Sequence, residues 1–242
     1  MQVFGLCHIG RIRKNNEDCL GIELAINTVI VADGMGGANA GEVASAITVE
    51  TVTAWLLNNS VNPNENLGTE EQIKEAIRAA NTKVWETANQ RKECQGMGST
   101  IVMAHWRNNR IWIQNSGDSR AYRVRNGQLT QLSYDQNVGN ELRHSLGLTE
   151  EQVLKYPQRN VLTMAVGVGP EILIRCYAEP MELGDLYLLC SDGLYGPVGD
   201  NEIIQILGSA QPLPALAATL IDRANANGGP DNITVALLRQ EG

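Results

Sequence analysis

Acidic residues stand beside glycine or asparagine at five places where strands are predicted to begin or end. These places are Asn16-Glu17-Asp18, Asp33-Gly34, Gly117-Asp118, Asp192-Gly193 and Asp231-Asn232. An aspartate in a turn most often caps its own backbone, and this interpretation suffices for any one of these residues. Their recurrence favours a second interpretation, in which several strand ends converge on one site. Converging carboxylates repel one another strongly, and bound cations make such an arrangement tolerable.

Such a site would bind a metal ion through oxygen atoms. Carboxylates select hard divalent cations, Mg²⁺ or Mn²⁺, rather than Zn²⁺. Glycine beside an aspartate lets the backbone approach an ion and offer a carbonyl oxygen as well. The three histidines, His8, His105 and His144, are far apart in sequence and lack the spacing of a zinc-binding pair.

Other catalytic motifs are incomplete or missing from the sequence. Gly34-x-Gly36 follows a predicted strand, as in a dinucleotide-binding turn. However, the third glycine position holds Asn39, and Asp33 would repel a pyrophosphate. The chain has neither the G-x-x-x-x-G-K-[ST] phosphate loop nor the G-x-S-x-G nucleophile turn.

The composition narrows the possible partners and the compartment. Among 242 residues, 27 Asp and Glu against 19 Lys and Arg leave a net charge of −8, which disfavours a nucleic-acid binder or a polybasic membrane-surface protein. No apolar run is long enough for a membrane span, and the start lacks the order of a signal peptide. The five scattered cysteines form no C-x-x-C pair and indicate reduced thiols in a cytoplasmic protein.

The elements that position the acidic residues follow from hydrophobic periodicity. Strands are predicted at Val3–Cys7, Cys19–Ala25, Thr28–Ala32, Ser99–Arg107, Arg110–Ser116, Arg120–Arg125, Gln128–Leu132, Ile172–Ala178, Asp185–Cys190 and Asn232–Arg239. Helices are predicted at Glu42–Leu57, Glu70–Glu93, Asp200–Leu207 and Leu213–Asn227. Thr69-x-x-Gln72 resembles a capping box, Asn126-Gly127 indicates a hairpin, and Asn58–Gly68 is the most loop-like stretch. Tight hairpins and paired helices favour an α+β fold, and a β-sandwich flanked by helices fits this order.

The motifs, taken in chain order, resemble those of the metal-dependent (type 2C, PPM) protein serine/threonine phosphatases, bacterial branch. They are Arg13-x-x-Asn16-Glu17-Asp18, VADGMGG at 31–37, Gly98-Ser99-Thr100, GDSRAY at 117–122, CSDGL at 190–194 and GGPDNITV at 228–235. The resemblance runs from about residue 3 to 239. It implies a four-layer α-β-β-α sandwich, with two antiparallel sheets flanked by helix pairs, and a single catalytic domain over residues 1–242.

The resemblance also implies roles for individual residues. Asp33 matches the bridging metal ligand, Gly34 matches a ligand that binds through its carbonyl, and Asp192 and Asp231 match the other direct ligands. Asp18 and Glu17 match the acids that hold metal-bound waters. Asp118 matches the residue that shares a third metal site with Asp192. Arg13 matches the arginine that binds the substrate phosphate. The cofactors expected are two ions of Mn²⁺ or Mg²⁺, with a third in bacterial members.

The activity implied is hydrolysis of phosphoserine and phosphothreonine in proteins. Two divalent cations about 3.5–4 Å apart share a water of lowered pKa, and the resulting hydroxide attacks phosphorus in line without a phosphoenzyme. The expected partners are phosphorylated Ser/Thr proteins and a Ser/Thr kinase, with no nucleic acid and no membrane. Without heptads or an apolar stripe, a monomer is expected.

Two departures from the family pattern leave the general acid open. Ala38 stands where family members commonly have a histidine, and Asp135-Gln136 replaces an Asp-His pair. A metal-bound water or His144 could protonate the leaving group. Two alternative functions therefore stay open: a catalytically weak phosphopeptide-binding regulator on the same fold, and a phosphoesterase for nucleotides or other small molecules.

The segment at about 135–161 resembles the flap of the family. Arg143, His144 and Arg159 are its candidate contacts to an acidic or phosphorylated peptide. The alternative interpretation is a plain helical excursion on the sheet.

Overall fold

A computed structural model describes residues 1–37, 40–60 and 68–241, and in this part of the chain the strands form two antiparallel sheets. The first sheet has the order β1-β11-β10-β7-β8, with β1 at Gln2–His8, β7 at Arg120–Arg125, β8 at Gln128–Gln131, β10 at Leu186–Cys190 and β11 at Ile233–Arg239. The second has the order β2-β3-β5-β6-β9, with β2 at Asp18–Glu23, β3 at Thr28–Met35, β5 at Ile101–Arg107, β6 at Arg110–Ser116 and β9 at Arg175–Pro180. The short β4, Gly98–Ser99, pairs with β3.

Helices cover the outer face of each sheet. The second sheet packs under α1 (Ala40–Ser60) and α2 (Thr69–Gln90), and the first under α5 (Asp192–Tyr195), α6 (Asp200–Leu207) and α7 (Leu213–Ala226). Two more helices, α3 (Val138–Leu146) and α4 (Glu150–Leu154), lie between β8 and β9. The four-layer α-β-β-α prediction is confirmed. None of the helices in the described segments is long and apolar enough to cross a membrane.

The apolar run of β3 illustrates how the sequence produces these layers. Ile30 and Ala32 pack against the helix layer, while Val29 and Val31 face the layer between the two sheets. Successive side chains of a strand point to opposite faces, so a strand covered on both faces is apolar throughout. The same strand carries Asp33 to the end of the sandwich.

Several predicted boundaries differ from the structure. β3 continues through Asp33 and Gly34 to Met35, so this acid lies in a strand rather than in a turn. The strand predicted at Cys19–Ala25 ends at Glu23, where a 3₁₀ turn begins. The strand predicted at Ile172–Ala178 begins only at Arg175, because Ile172 and Ile174 pack on the helix layer before the ladder starts.

The start of α2 and the turn between β7 and β8 test the predicted capping box and the predicted hairpin. The capping box at Thr69 is wrong: Gly68 is the N-cap, its carbonyl accepts from Glu71 N and Gln72 N, and no side chain caps the helix. The hairpin at Asn126-Gly127 is confirmed, since both residues adopt positive φ values of 51° and 73°. The loop predicted at Asn58–Gly68 has residues 61–67 outside the described part of the chain.

A buried ionic network closes the end of the sandwich away from the acidic strand ends. Arg125 of β7 donates to both carboxylate oxygens of Asp185, at 2.7 and 2.6 Å, and also to Glu182. Tyr187 of β10 donates to Asp185 at 3.0 Å. The Asp185 side chain is 1% exposed, so this network joins β7 and β10 through a fully buried charge.

Candidate metal centre

The structure brings the five aspartates together at one end of the sandwich. Asp18 begins β2, Asp33 lies near the end of β3, Asp118 follows β6, Asp192 begins α5 and Asp231 precedes β11. Asp18 and Asp33 are direct partners in the β2–β3 ladder. Such partners have Cβ atoms about 4.5–5.5 Å apart. Charges on the other four aspartates all act on Asp33.

Backbone and hydroxyl groups fix the Asp18–Asp33 pair. Ser191 Oγ donates to Asp18 Oδ2 at 2.7 Å. The amide of Asp33 donates to Thr100 Oγ1 at 2.9 Å, and the amide of Thr100 donates to Asp33 O at 2.8 Å. Ser191 therefore orients the Asp18 carboxylate directly, and Thr100 holds the backbone of Asp33 in place. The motifs CSDGL and Gly98-Ser99-Thr100 contain both residues, but the sequence assigned neither of them a role.

Asp118 is held by side chains from two other segments. Asn137 Nδ2 donates to Asp118 Oδ2 at 3.0 Å, and Tyr195 Oη donates to the Asp118 carbonyl at 2.9 Å. Arg120 lies over the Tyr195 ring at 3.7 Å and binds both oxygens of Asp135. These contacts join the turn of Asp118 to α5 and to the start of the flap segment.

Asp231 contacts Arg13, the arginine predicted to bind the substrate phosphate. Arg13 Nη2 lies 2.6 Å from Asp231 Oδ2, and the amide of Asn232 donates to Asp231 Oδ1 at 2.8 Å. The Arg13 side chain is 47% exposed. The guanidinium is therefore both beside the carboxylate cluster and accessible to a molecule from solvent.

Burial and mutual repulsion raise the pKa values of four of these aspartates. Burial, together with the charges of Asp192 and Asp231, raises the pKa of Asp18 to about 7. Burial and the charge of Asp192 raise the pKa of Asp118 to about 7. The pKa of Asp33 rises well above its ordinary value, chiefly through burial, and that of Asp192 rises for the same reason. A bound cation would favour the charged forms of all four residues.

The residues present fit divalent cations. In the described part of the chain, Asp18 Oδ1 and Asp192 Oδ1 are buried without a hydrogen-bond partner, and an ion would satisfy such oxygens. A Cβ added at Gly41 would lie 2.8 Å from Gly34 O and 3.0 Å from Glu17 Cδ, so both predicted donor groups face the same point. No three acidic, histidine or cysteine side chains of the described residues could enclose an ion alone. Backbone carbonyls and water would complete the coordination, as is usual for Mg²⁺.

Gly34 occupies a position that no other residue could fill. A Cβ there would lie 2.0 Å from the Gly41 carbonyl oxygen and 2.7 Å from that of Glu17. The amide of Gly34 donates to Glu17 O at 3.0 Å. Glycine therefore allows β3, the start of α1 and the acidic turn before β2 to meet without a side chain between them.

A cavity of about 690 Å³ leads away from the cluster between the flap and α6. Its lining includes Asp118 and Asp192 on the side of the cluster, and Arg143 and Arg159 on the side of the flap. His144 is not part of this lining, since its ring packs on Tyr134 with centroids 5.3 Å apart. The structure thus separates His144 from the two arginines with which the sequence grouped it. Ala38 and Asn39 lie outside the described residues.

Comparisons with known sequences point to one family. The profile of the family described as protein phosphatase 2C matches residues 8–237. The chain is similar to the serine/threonine phosphatase stp of Listeria monocytogenes, with 36% identity over 96% of this chain and 93% of the relative. It is also 34% identical to the protein phosphatase PhpP of Streptococcus pneumoniae, over 98% of this chain and 97% of the relative.

Solved structures show the same architecture. The Mycobacterium tuberculosis serine/threonine phosphatase PstP/Ppp superposes with a TM-score of 0.89 and 31% identity, over 100% of this chain and 99% of that chain. The catalytic domain of PstP in complex with two manganese ions superposes with a TM-score of 0.83 and 32% identity, over 98% of this chain and 96% of that chain.

Proposed function

We infer the function from one premise: the chain belongs to the protein phosphatase 2C family, whose profile spans residues 8–237. It is a metal-dependent protein serine/threonine phosphatase that uses Mn²⁺ or Mg²⁺. The structural observation that supports this activity most strongly is the convergence of five buried or half-buried aspartates beside an accessible arginine at one end of the sandwich. Oxygen donors hold hard cations, and an adjacent guanidinium binds phosphate.

The direct metal ligands in this proposal are Asp33, Asp192 and Asp231, with Gly34 offering its carbonyl oxygen. Asp18 and Glu17 act through water, and Asp118 shares a third ion with Asp192. When bound, the divalent cations supply Lewis acidity and a water of lowered pKa. The protein supplies the positions of these oxygens: Ser191 holds the Asp18 carboxylate, and Thr100 and Tyr195 hold the backbone of Asp33 and Asp118.

Arg13 binds and orients the phosphate of the substrate. Its guanidinium can donate two parallel N–H groups to two phosphate oxygens, and its charge offsets the negative charge that builds up on them. The contact with Asp231 sets the direction of the guanidinium, since one Nη already points to a ligand of the cluster. The Arg13 side chain is 47% exposed, so a substrate can reach the guanidinium from solvent.

The flap and the cavity beside it receive the peptide around the phosphorylated residue. Arg143 and Arg159 line this cavity and would bind acidic or phosphorylated side chains near the phosphorylation site. A role for His144 as general acid, or as a peptide contact, stays a prediction. If the leaving oxygen obtains its proton from solvent or from a bound water instead, no side chain of the flap is needed for that step.

We also propose the domain organisation, the compartment and the partners. Residues 1–242 form one catalytic domain with the flap at about 135–161, which the unbroken pairing of β1 with β11 supports. The cysteines of the described residues are all free thiols, which fits the cytoplasm. The substrates are phosphorylated Ser/Thr proteins, with a Ser/Thr kinase and its targets as the partners. The enzyme acts as a monomer.

Three phosphoesters distinguish this function from its alternatives. A phosphothreonine peptide, ATP and p-nitrophenyl phosphate are incubated with the protein and Mn²⁺, and kcat/KM is measured for each. A protein phosphatase turns over the peptide and leaves ATP intact, and acid-quenched samples contain no phosphorylated protein. Faster hydrolysis of ATP than of the peptide would establish the small-molecule enzyme. Peptide binding without turnover would establish the regulator.

A further inference from the structure

The segment that carries Arg13 has no regular structure of its own. This segment, residues 9–17 and called here the Arg13 loop, leaves β1 in the first sheet and enters β2 in the second. Neither a helix nor a strand holds it, and Arg11, Arg13 and Lys14 are all exposed. Contacts from outside the loop must therefore fix the position of the guanidinium.

One buried side chain supplies three of these contacts. Asn232 is 3% exposed. Its Nδ2 donates to Ile9 O and to Asn15 O, each at 2.9 Å, and its Oδ1 accepts from Glu17 N at 2.8 Å. Both donors and the acceptor of the amide are thus used on the two sides of Arg13. The reverse orientation of the amide would place its N–H groups against another N–H, so the partners define the orientation.

The backbone around Asn232 adds close contacts to the same loop. The amide of Arg11 donates to Gly229 O at 2.8 Å. A Cβ at Gly10 would lie 2.1 Å from Asp231 O, so the loop touches the backbone of this metal-ligand candidate. Because the amide of Asn232 also donates to Asp231 Oδ1, one residue connects the loop with the acid that Arg13 meets.

We propose that Asn232 is a positioning residue that acts through Arg13, by holding both ends of the Arg13 loop beside the carboxylate cluster. The inference rests on the proposed function, in which Arg13 binds the substrate phosphate. Asn232 itself has no contact with substrate. Its side chain replaces the loop's missing secondary structure and fixes the distance between the guanidinium and Asp231.

A double-mutant cycle tests this coupling. Asn232→Ala, Arg13→Ala and the double variant are compared with the wild type for kcat/KM on a phosphothreonine peptide with Mn²⁺. We expect Asn232→Ala to lower kcat/KM about tenfold or more in the wild type and less than about threefold in the Arg13→Ala background. A purely structural loss would be similar in both backgrounds and would overturn the proposal.

Two further measurements separate the loop from the metal site. Trypsin cleaves after Arg11, Arg13 and Lys14, and we expect Asn232→Ala to accelerate cleavage at these sites first. The affinity for Mn²⁺, measured by calorimetry, should stay within about threefold, since the backbone amide that meets Asp231 is retained. Unchanged cleavage at the loop, or a large loss of Mn²⁺ affinity, would contradict the proposal.

Asn81 provides the matched control. It is 1% exposed, and its amide likewise makes hydrogen bonds to a loop, to Gly167 N, Gly169 O and Pro170 O. Asn81→Ala should lower the melting temperature without accelerating cleavage in the Arg13 loop. Should Asn232→Ala not fold, Asn232→Asp replaces it in every arm, because it keeps the volume and the acceptor but loses both donors. If the wild type itself shows no phosphatase activity, the proposed function fails. The trypsin assay still tests whether Asn232 holds the Arg13 loop in place.

Discussion

Burial gives the aspartates of the cluster an acid–base behaviour that the sequence does not reveal. Asp18 and Asp118 are each less than one-tenth exposed and face other carboxylates. The acids could be picked out from the sequence because glycine or asparagine stands beside each of them, whereas Arg13 was identified only through the resemblance to the phosphatase family. The partners of the acids could not be picked out, because Thr100, Ser191 and Asn137 reach them only through tertiary contacts between distant segments.

The raised pKa values predict how the stability of the metal-free protein depends on pH. In the unfolded chain Asp18 and Asp118 ionise near an ordinary pKa of about 3.9, whereas in the folded protein both have a pKa of about 7. Between these values the folded state binds more protons, so stability is highest at the acidic end and falls as pH rises. We expect the melting temperature in EDTA to fall from about pH 5 to about pH 7.5.

Mn²⁺ and one substitution provide the controls for this pH effect. Saturating Mn²⁺ should remove the fall, because the ion stabilises the ionised carboxylates. Asp118→Asn should reduce it, because one titrating group is gone. A melting temperature in EDTA that rises steadily over the same range would show that these carboxylates are already ionised at pH 5.

The departure at Ala38 predicts a preference among leaving groups. A p-nitrophenolate leaves without much protonation, whereas the alkoxide of threonine needs a proton. Without the usual histidine, we expect kcat for p-nitrophenyl phosphate to exceed kcat for a phosphothreonine peptide, with Ala38→His narrowing the difference. Equal kcat for the two substrates in the wild type would argue against a missing general acid.

At the scale of elements, we expect the flap to bind the peptide around the phosphorylated residue, while the carboxylate cluster serves the hydrolysis. Arg143→Ala and Arg159→Ala remove the two flap cations that line the cavity, and we expect kcat/KM on an acidic phosphopeptide to fall about tenfold. Hydrolysis of p-nitrophenyl phosphate should stay within about threefold, since this substrate does not extend into the cavity. Lys155→Ala, an exposed flap cation outside that lining, is the control. Comparable losses on both substrates would mean that the flap supports the metal centre itself.

The ionic network at the far end predicts a loss of stability without a loss of chemistry. Asp185→Ala leaves Arg125 without its buried partner and should lower the free energy of unfolding by about 3 kcal/mol, measured in urea. Glu182→Ala removes the 60% exposed partner of the same arginine and should change it by less than about 1 kcal/mol. Equal effects of the two substitutions would show that burial does not distinguish the two ion pairs. Below the melting temperature both variants should keep the wild-type kcat/KM.

The elements themselves were predictable to different degrees. The strands β6 and β7 and the helix α6 begin and end where the hydrophobic period and the turn residues placed them. Capping at Thr69 was wrong because a capping box needs a particular backbone geometry, and here Gly68 takes the N-cap position. The extension of β3 to Met35 depends on its pairing with β4, a two-residue strand that no local pattern marks.

For the whole molecule, the carboxylate cluster accounts for much of the net charge of −8. Five aspartates contribute to one site, and two divalent cations would bring the formal balance from −8 to −4. The cations would also reverse the local field at that site, so that an acidic protein can bind a phosphate there. Fold and family could be predicted from the order of motifs along the chain. The hydrogen bonds of Asn232 to the Arg13 loop could not be predicted, because they join the two ends of the chain.

The rate of phosphate release from a phosphothreonine peptide, measured as Mn²⁺ is added to metal-free protein, tests the central claim most directly. The wild type should show no release without metal, a saturable rise with Mn²⁺ and complete loss in excess EDTA. Asp33→Asn, which keeps the size of the side chain but removes its charge, should be slower by at least about a hundredfold. Release that is independent of Mn²⁺, or a wild-type rate in Asp33→Asn, would contradict the assignment of this cluster as the metal centre of a phosphatase.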